Sequence, residues 1–123
     1  MTSLSISKGR WQISLHWLKA GDDLIVILQG GDTPHLGCVL LGVPRLSLKG
    51  DGSISSTIST LNVTGHKDDE VARPFLHSLV CALNKNISLS CGLHLDDATA
   101  EEIAQVKEAV ANLKEQMLAV FNK

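Results

Sequence analysis

The sequence has no tyrosine and only two tryptophans and two phenylalanines in 123 residues. That scarcity removes the aromatic platforms on which single-stranded nucleic acids stack. Charge of either sign is not in excess: the net value is −2, so no basic stripe points to nucleic acid or an anionic membrane surface. No apolar run approaches the roughly 20 residues of a membrane span. The opening Met1-Thr2-Ser3-Leu4 lacks the basic and apolar blocks of a signal peptide, so a cytoplasmic protein is expected. Three cysteines, Cys38, Cys81 and Cys91, are an odd number with no CxxC pair. Cys38 and Cys81 fall inside apolar runs, where a reduced thiol packs as a small hydrophobe. No serine sits in a GxSxG elbow and no cysteine is read as having a neighbouring histidine, which argues against nucleophilic catalysis.

What remains is a globular composition, 44% hydrophobic and 20% charged, that suits one domain over residues 1–123 with a single core. Trp11, Ile13, Leu15 and Trp17 alternate with polar residues, the period of a half-buried strand with the tryptophans inward. His16 then falls on the polar face. After the turn Ala20-Gly21-Asp22-Asp23, residues 24–28 form a second strand, and the short connection predicts an antiparallel hairpin. Its unbroken apolar run predicts that both faces are covered. Residues 36–43 and 53–63 supply two more strands. In the last of these Ile54 and Ile58 share one face while Leu61 and Val63 share the other, which predicts a β-bulge near Ser59-Thr60.

Val71, Phe75, Leu79 and Leu83 then recur every four residues, widened by Leu76 and Val80, as in an amphipathic helix. Asp68 or Asp69 can cap it. Pro74 predicts either a start close to that residue or a kink, because proline costs a hydrogen bond beyond the first turn. Residues 87–95 return to strand. Thr99-Ala100-Glu101-Glu102 is a capping box, and Ile103, Val106, Val110, Leu113, Met117 and Val120 follow at helical spacing. The order β-β-β-β-α-β-α predicts an α+β fold: a two-layer, mostly antiparallel sheet with two helices on one face. The strands' second faces are only partly polar, which suits a homodimer.

Three glycine-containing turns carry the polar chemistry: Gly30-Gly31-Asp32-Thr33-Pro34-His35, Gly65-His66-Lys67-Asp68-Asp69-Glu70 and Gly92-Leu93-His94-Leu95-Asp96-Asp97. His94 and Asp96, two apart on a strand, are expected on one face. His35, His66 and His94 could together hold a divalent metal such as zinc or iron, and then a metal-dependent hydrolase is the alternative function. The same histidines could equally be turn and cap residues with backbone partners. Gly65-His66-Lys67 before a helix also suits a phosphate, although Asp68, Asp69 and Glu70 compete for the same positive dipole end.

Taken in order, the stretches GGDTPHLG, GHKDD and GLHLDDATAEEI resemble those of the LpdD-like small D subunit that accompanies UbiD-type aromatic acid decarboxylases such as gallate decarboxylase. The matching positions are Gly31, Asp32, Pro34, His35 and Gly37, then Gly65, His66, Lys67 and Asp68, then Gly92, His94 and Asp96. Where the family favours Glu after GHK, this chain has the shorter Asp68. The resemblance implies a non-catalytic chaperone that holds prenylated FMN as cargo and assists its delivery to, or maturation in, the decarboxylase subunit. It also implies a link to the flavin prenyltransferase pathway; the charge balance separately argues against nucleic acid or membrane as partner. For such a carrier the chemistry of the residues themselves makes His35, Gly65, His66, Lys67, His94 and Asp96 the expected flavin contacts, Lys67 with the corner's free amides on the phosphate and the histidines on the ring.

Overall fold

The computed structural model describes residues 1–63 and 68–123. Among these residues the chain runs β1 (Thr2–Lys8), β2 (Trp11–Ala20), β3 (Asp23–Gly31), β4 (Cys38–Leu46), β5 (Ile54–Asn62), α1 (Asp69–Leu83), β6 (Ile87–His94) and α2 (Ala100–Phe121). The strands form one sheet in the order β1-β2-β3-β6-β4-β5. Four ladders are antiparallel, and β3 with β6 is the parallel one. The two-layer α+β architecture expected from the sequence is therefore present.

The strand β1 adds to that expectation. Its two inward apolar residues, Leu4 and Ile6, alternate with serines and pack at the margin of the core beside β2. Along β2 the alternation holds as read: Trp11, Ile13, Leu15 and Trp17 are buried and turn toward the helices. On β3, Leu24, Val26 and Leu28 do the same. The other side of β3 is not covered, however, since Ile25 is 45% exposed. Its unbroken apolar run reflects one face in the core and one facing outward.

The expected bulge is also absent from β5. The β4–β5 register runs without interruption from Cys38↔Asn62 to Leu46↔Ile54. Leu61 and Val63 are left exposed on the outer side, so no distortion is needed to bury them.

In α1 the buried stripe is Ala72, Phe75, Leu76, Leu79 and Val80. The helix starts at Asp69 and passes through Pro74, which sits on its exposed side. It forgoes the bond that a residue there would donate to the Glu70 carbonyl. Asn84 ends it in the left-handed conformation, donating its N–H to the Val80 carbonyl. In α2 the capping box forms as read, with Thr99 and Glu102 satisfying each other's amides. Val106, Ala109, Val110, Leu113 and Met117 face inward. No helix among the described residues is long and apolar enough to cross a membrane.

Candidate functional site

The parallel pairing of β3 and β6 is what makes the site. Because these strands run side by side in the same sense, both carboxyl ends reach one edge of the sheet, with Gly31 opposite His94. The first and third glycine turns thus become neighbours although about sixty residues separate them. Gly31 has φ +92°, and a β-carbon there would lie 2.0 Å from the His94 carbonyl oxygen. Only glycine permits that approach in that conformation.

Asp32 ties the two turns together. Its backbone N–H donates to the His94 carbonyl at 2.7 Å, and its Oδ2 accepts from the Asp96 backbone N–H at 2.7 Å. The Asp96 amide holds the Asp32 carboxyl below the usual carboxylate range, with help from the Trp11 indole, Arg10 and His94. The buried Trp11 Nε1 does not meet full hydrogen-bond geometry with any partner. Arg10, in the β1–β2 turn, braces the same knot. Its guanidinium lies 3.6 Å from Asp32 Oδ1, donates from Nε to Glu102 Oε2 at 2.9 Å and from Nη2 to the Asp96 carbonyl, and stacks 4.1 Å above the Trp11 ring. This contact, then the Thr99 amide, lowers the Glu102 carboxyl as well.

His35 occupies the centre. Its Nδ1 donates to the Thr33 carbonyl at 3.2 Å, and its Nε2 faces Asp68 Oδ2 at 3.2 Å. The His94 ring meets it edge to face with centroids 5.4 Å apart. His94 in turn donates from Nε2 to Asp96 Oδ1 at 2.7 Å. That bond forms although β6 ends at His94, so the turn rather than a shared strand face brings the two together. Asp68, only 9% exposed, is the buried charged side chain among the described residues. It is the N-cap of α1 but makes no side-chain cap bond, because its carboxylate is turned to His35.

Two further close approaches lock these groups. A β-carbon on Gly92 would fall 1.4 Å from the His35 carbonyl oxygen, and one on Gly37 would fall 1.6 Å from Asp68 Oδ2. Beside them lies a hollow of about 240 Å³ lined by residues that include Ile27, Gln29, Pro34, His35, Leu36 and Ser90. Its walls are apolar with a few polar groups, the usual make-up of a small-molecule site. A groove of about 280 Å³ between α1 and α2, flanked by Phe75, Lys107 and Lys114, lies in the other layer and carries none of the turn histidines.

Of the residues singled out from the sequence, His35, His94 and Asp96 converge, and Asp68 joins them. Gly65, His66 and Lys67 lie outside the described residues. Among the described residues no group of three or more His, Cys, Asp or Glu is arranged to hold a metal ion.

The sequence reading missed Arg10 and Glu102 as members of the cluster. Glu102 was visible only as a capping residue, and nothing in the local pattern marks Arg10. One reading is corrected: Cys81 does have a neighbouring histidine, since His77 lies one helical turn earlier with its ring nitrogens 3.6 and 3.7 Å from the sulfur. The i, i+4 spacing would have revealed it. Cys38 and Cys91 are register partners on β4 and β6, both buried and unbridged. Interaction between the two thiols lowers that of Cys38 and, with burial, raises that of Cys91.

A search of curated proteins gives no match. Among solved structures, the crystal structure of a novel chaperone complex for yeast 20S proteasome assembly contains a chain with the same fold. It has a TM-score of 0.52 at 14% identity, covering 99% of this chain and 97% of that one. Residues 7–122, which include all three glycine turns, match the prenylated flavin chaperone LpdD-like domain. The chain belongs to the prenylated flavin chaperone LpdD-like family.

Proposed function

We propose that the protein holds prenylated FMN at the edge where β3 and β6 end, and delivers it to, or assists its maturation in, a UbiD-type aromatic acid decarboxylase. The observation that carries this reading is the cluster of His35, His94, Asp68 and Asp96, which reaches an apolar-walled hollow through His35, in a chain of the flavin chaperone family. Pro34, Leu36 and Ile27 suit a flat aromatic ring. Gln29 and Ser90 offer hydrogen bonds to ring carbonyls and nitrogens, while His35, with both ring nitrogens engaged, offers the carbon edge and face of its ring as a wall. Lys67 and Gly65, next to the start of α1 in the sequence, would take the phosphate. Asp68, Asp69 and Glu70 would keep that phosphate from being bound too tightly, which suits cargo that must be released.

The prenylated flavin supplies its chemistry only in the decarboxylase; here the residues bind and orient it. Asp68 fixes the His35 ring and Asp96 fixes that of His94, so neither imidazole needs to reorganise on binding. The test is direct. Purified protein mixed with prenylated FMN should carry the flavin through gel filtration, and apo-decarboxylase loaded in its presence should gain activity over decarboxylase loaded without it. Flavin lost on the column with no gain in activity would refute the proposal. Stoichiometric zinc or iron in tag-free protein that retains no flavin would favour the metal-dependent hydrolase instead.

A further inference from the structure

We propose that two copies of this chain pack through the sheet face that bears no helix, and that each copy roofs the other's hollow. The register identifies the face. One row across the sheet runs Leu18, Ile25, Ser88, Leu41 and Ser59 from β2 to β5. The next row carries Ile27, Ser90 and Val39 through its middle. No Asp, Glu, Lys or Arg stands in either row among the described residues, in a chain that is 20% charged. Leu18, Ile25 and Leu41 are each about half exposed. Depletion of charge with retained aliphatic side chains is the compositional mark of an interface core rather than of a solvated sheet.

The identity of the occupant follows from charge, size and position. A partner recognised through charge would be met by charge, and these rows offer none. Two such faces meeting through these rows bring no like charges together, and Asp23 and Arg45, on the same face beyond the rows, fall at its margin. Six strands about 4.8 Å apart and about eight residues long at 3.3 Å each make a face of about 750 Å². A stable complex needs about 800 Å² from each partner. Ile27, Gln29 and Ser90 belong to this face and also line the hollow, so a second sheet seated here stands over its open side. The hollow alone, about 240 Å³, falls short of the roughly 300–1,000 Å³ that enclose a small-molecule ligand. The roofing step rests on the flavin reading above; the interface does not.

Sedimentation velocity of the flavin-free protein at micromolar concentration tests the interface by itself. A single species at twice the 13.2 kDa chain mass is expected, and a monomeric wild type overturns the proposal. Leu41→Asp and Ser88→Lys should each give monomers with unchanged circular dichroism. The second replaces a partly buried polar residue of the outer face and spares the core if the first disturbs folding. Dimers that persist in a folded variant of either kind overturn the choice of face. In the monomeric variant, retention of prenylated FMN should fall about tenfold or more, a change of about 1.4 kcal/mol. A folded monomer that binds flavin as tightly as the dimer overturns the roofing role while leaving the interface standing.

Discussion

Gly37 and Asp68 touch through a missing side chain: a β-carbon on Gly37 would stand 1.6 Å from Asp68 Oδ2. The carboxylate that α1 would otherwise use to cap its own N-terminus fills that space and turns to His35. A polar group so buried must keep its partner, since an unsatisfied one costs about 1–3 kcal/mol. The helix gives up a capping bond to hold an imidazole in place.

The glycines of the cluster should therefore differ in what an added methyl does. At Gly92 the obstacle is the His35 carbonyl at 1.4 Å, which moves only with the backbone. Gly92→Ala should lower unfolding free energy by about 3 kcal/mol. At Gly37 the obstacle is a rotatable carboxylate, so Gly37→Ala should cost about 1 kcal/mol while releasing His35 from Asp68. Gly50 has open space around it and only φ +71° to strain, so Gly50→Ala should cost about 1–2 kcal/mol with no effect on flavin retention. Urea titration of the three variants checks the order.

Pro74 supplies the opposite case. It is exposed in the sixth residue of α1, where it removes a hydrogen bond and contributes no buried packing. Pro74→Ala should stabilise the fold by about 1–3 kcal/mol. A loss of stability on thermal melting would show that the proline ring holds the α1–α2 groove it borders.

Most of the fold was legible because it rests on short-range periodicity. Trp11 to Trp17 declares its alternation locally, and Thr99 with Glu102 declares a helix start. The site was legible only as a set of fragments. Nothing near His35 or His94 says that β3 pairs with β6 in parallel, a relation set by packing between distant segments. The unneeded bulge in β5 came from assuming that Leu61 must be buried, whereas an outer sheet face leaves it 75% exposed. Arg10 was invisible for the same reason as the parallel pair, its partners Asp32 and Glu102 being remote in sequence.

The Arg10 knot should give the protein an acid-sensitive step. Asp32 and Glu102 titrate below their ordinary values, Asp32 chiefly through the Asp96 amide and Glu102 chiefly through Arg10. A carboxyl whose folded pKa is depressed stabilises the fold above its unfolded value and loses that contribution as pH falls through the folded one. Stability should thus hold steady from neutral pH down to about 5 and fall below about 4, the unfolded carboxyl range. Asp32→Asn should start from lower stability at neutral pH and show a shallower acid decline in urea midpoints. An equal decline in both proteins would remove Asp32 from the account.

The two ordered imidazoles should separate structural from binding roles. His35→Ala withdraws the ring that faces a buried carboxylate, so it should cost about 1–3 kcal/mol and also abolish flavin retention. His94 sits at the exposed end of β6, bonded to an exposed Asp96, and His94→Ala should remain within about 0.5 kcal/mol of wild type while still losing flavin. His66→Ala is expected to behave like His94→Ala, with retention abolished and melting temperature nearly unchanged. Thermal melts beside gel-filtration retention of prenylated FMN distinguish the outcomes. A His94→Ala protein that melts as wild type and retains flavin undiminished would take the β6 end out of the binding site. The hollow's apolar wall at Pro34, Leu36 and Ile27 would then be its main support.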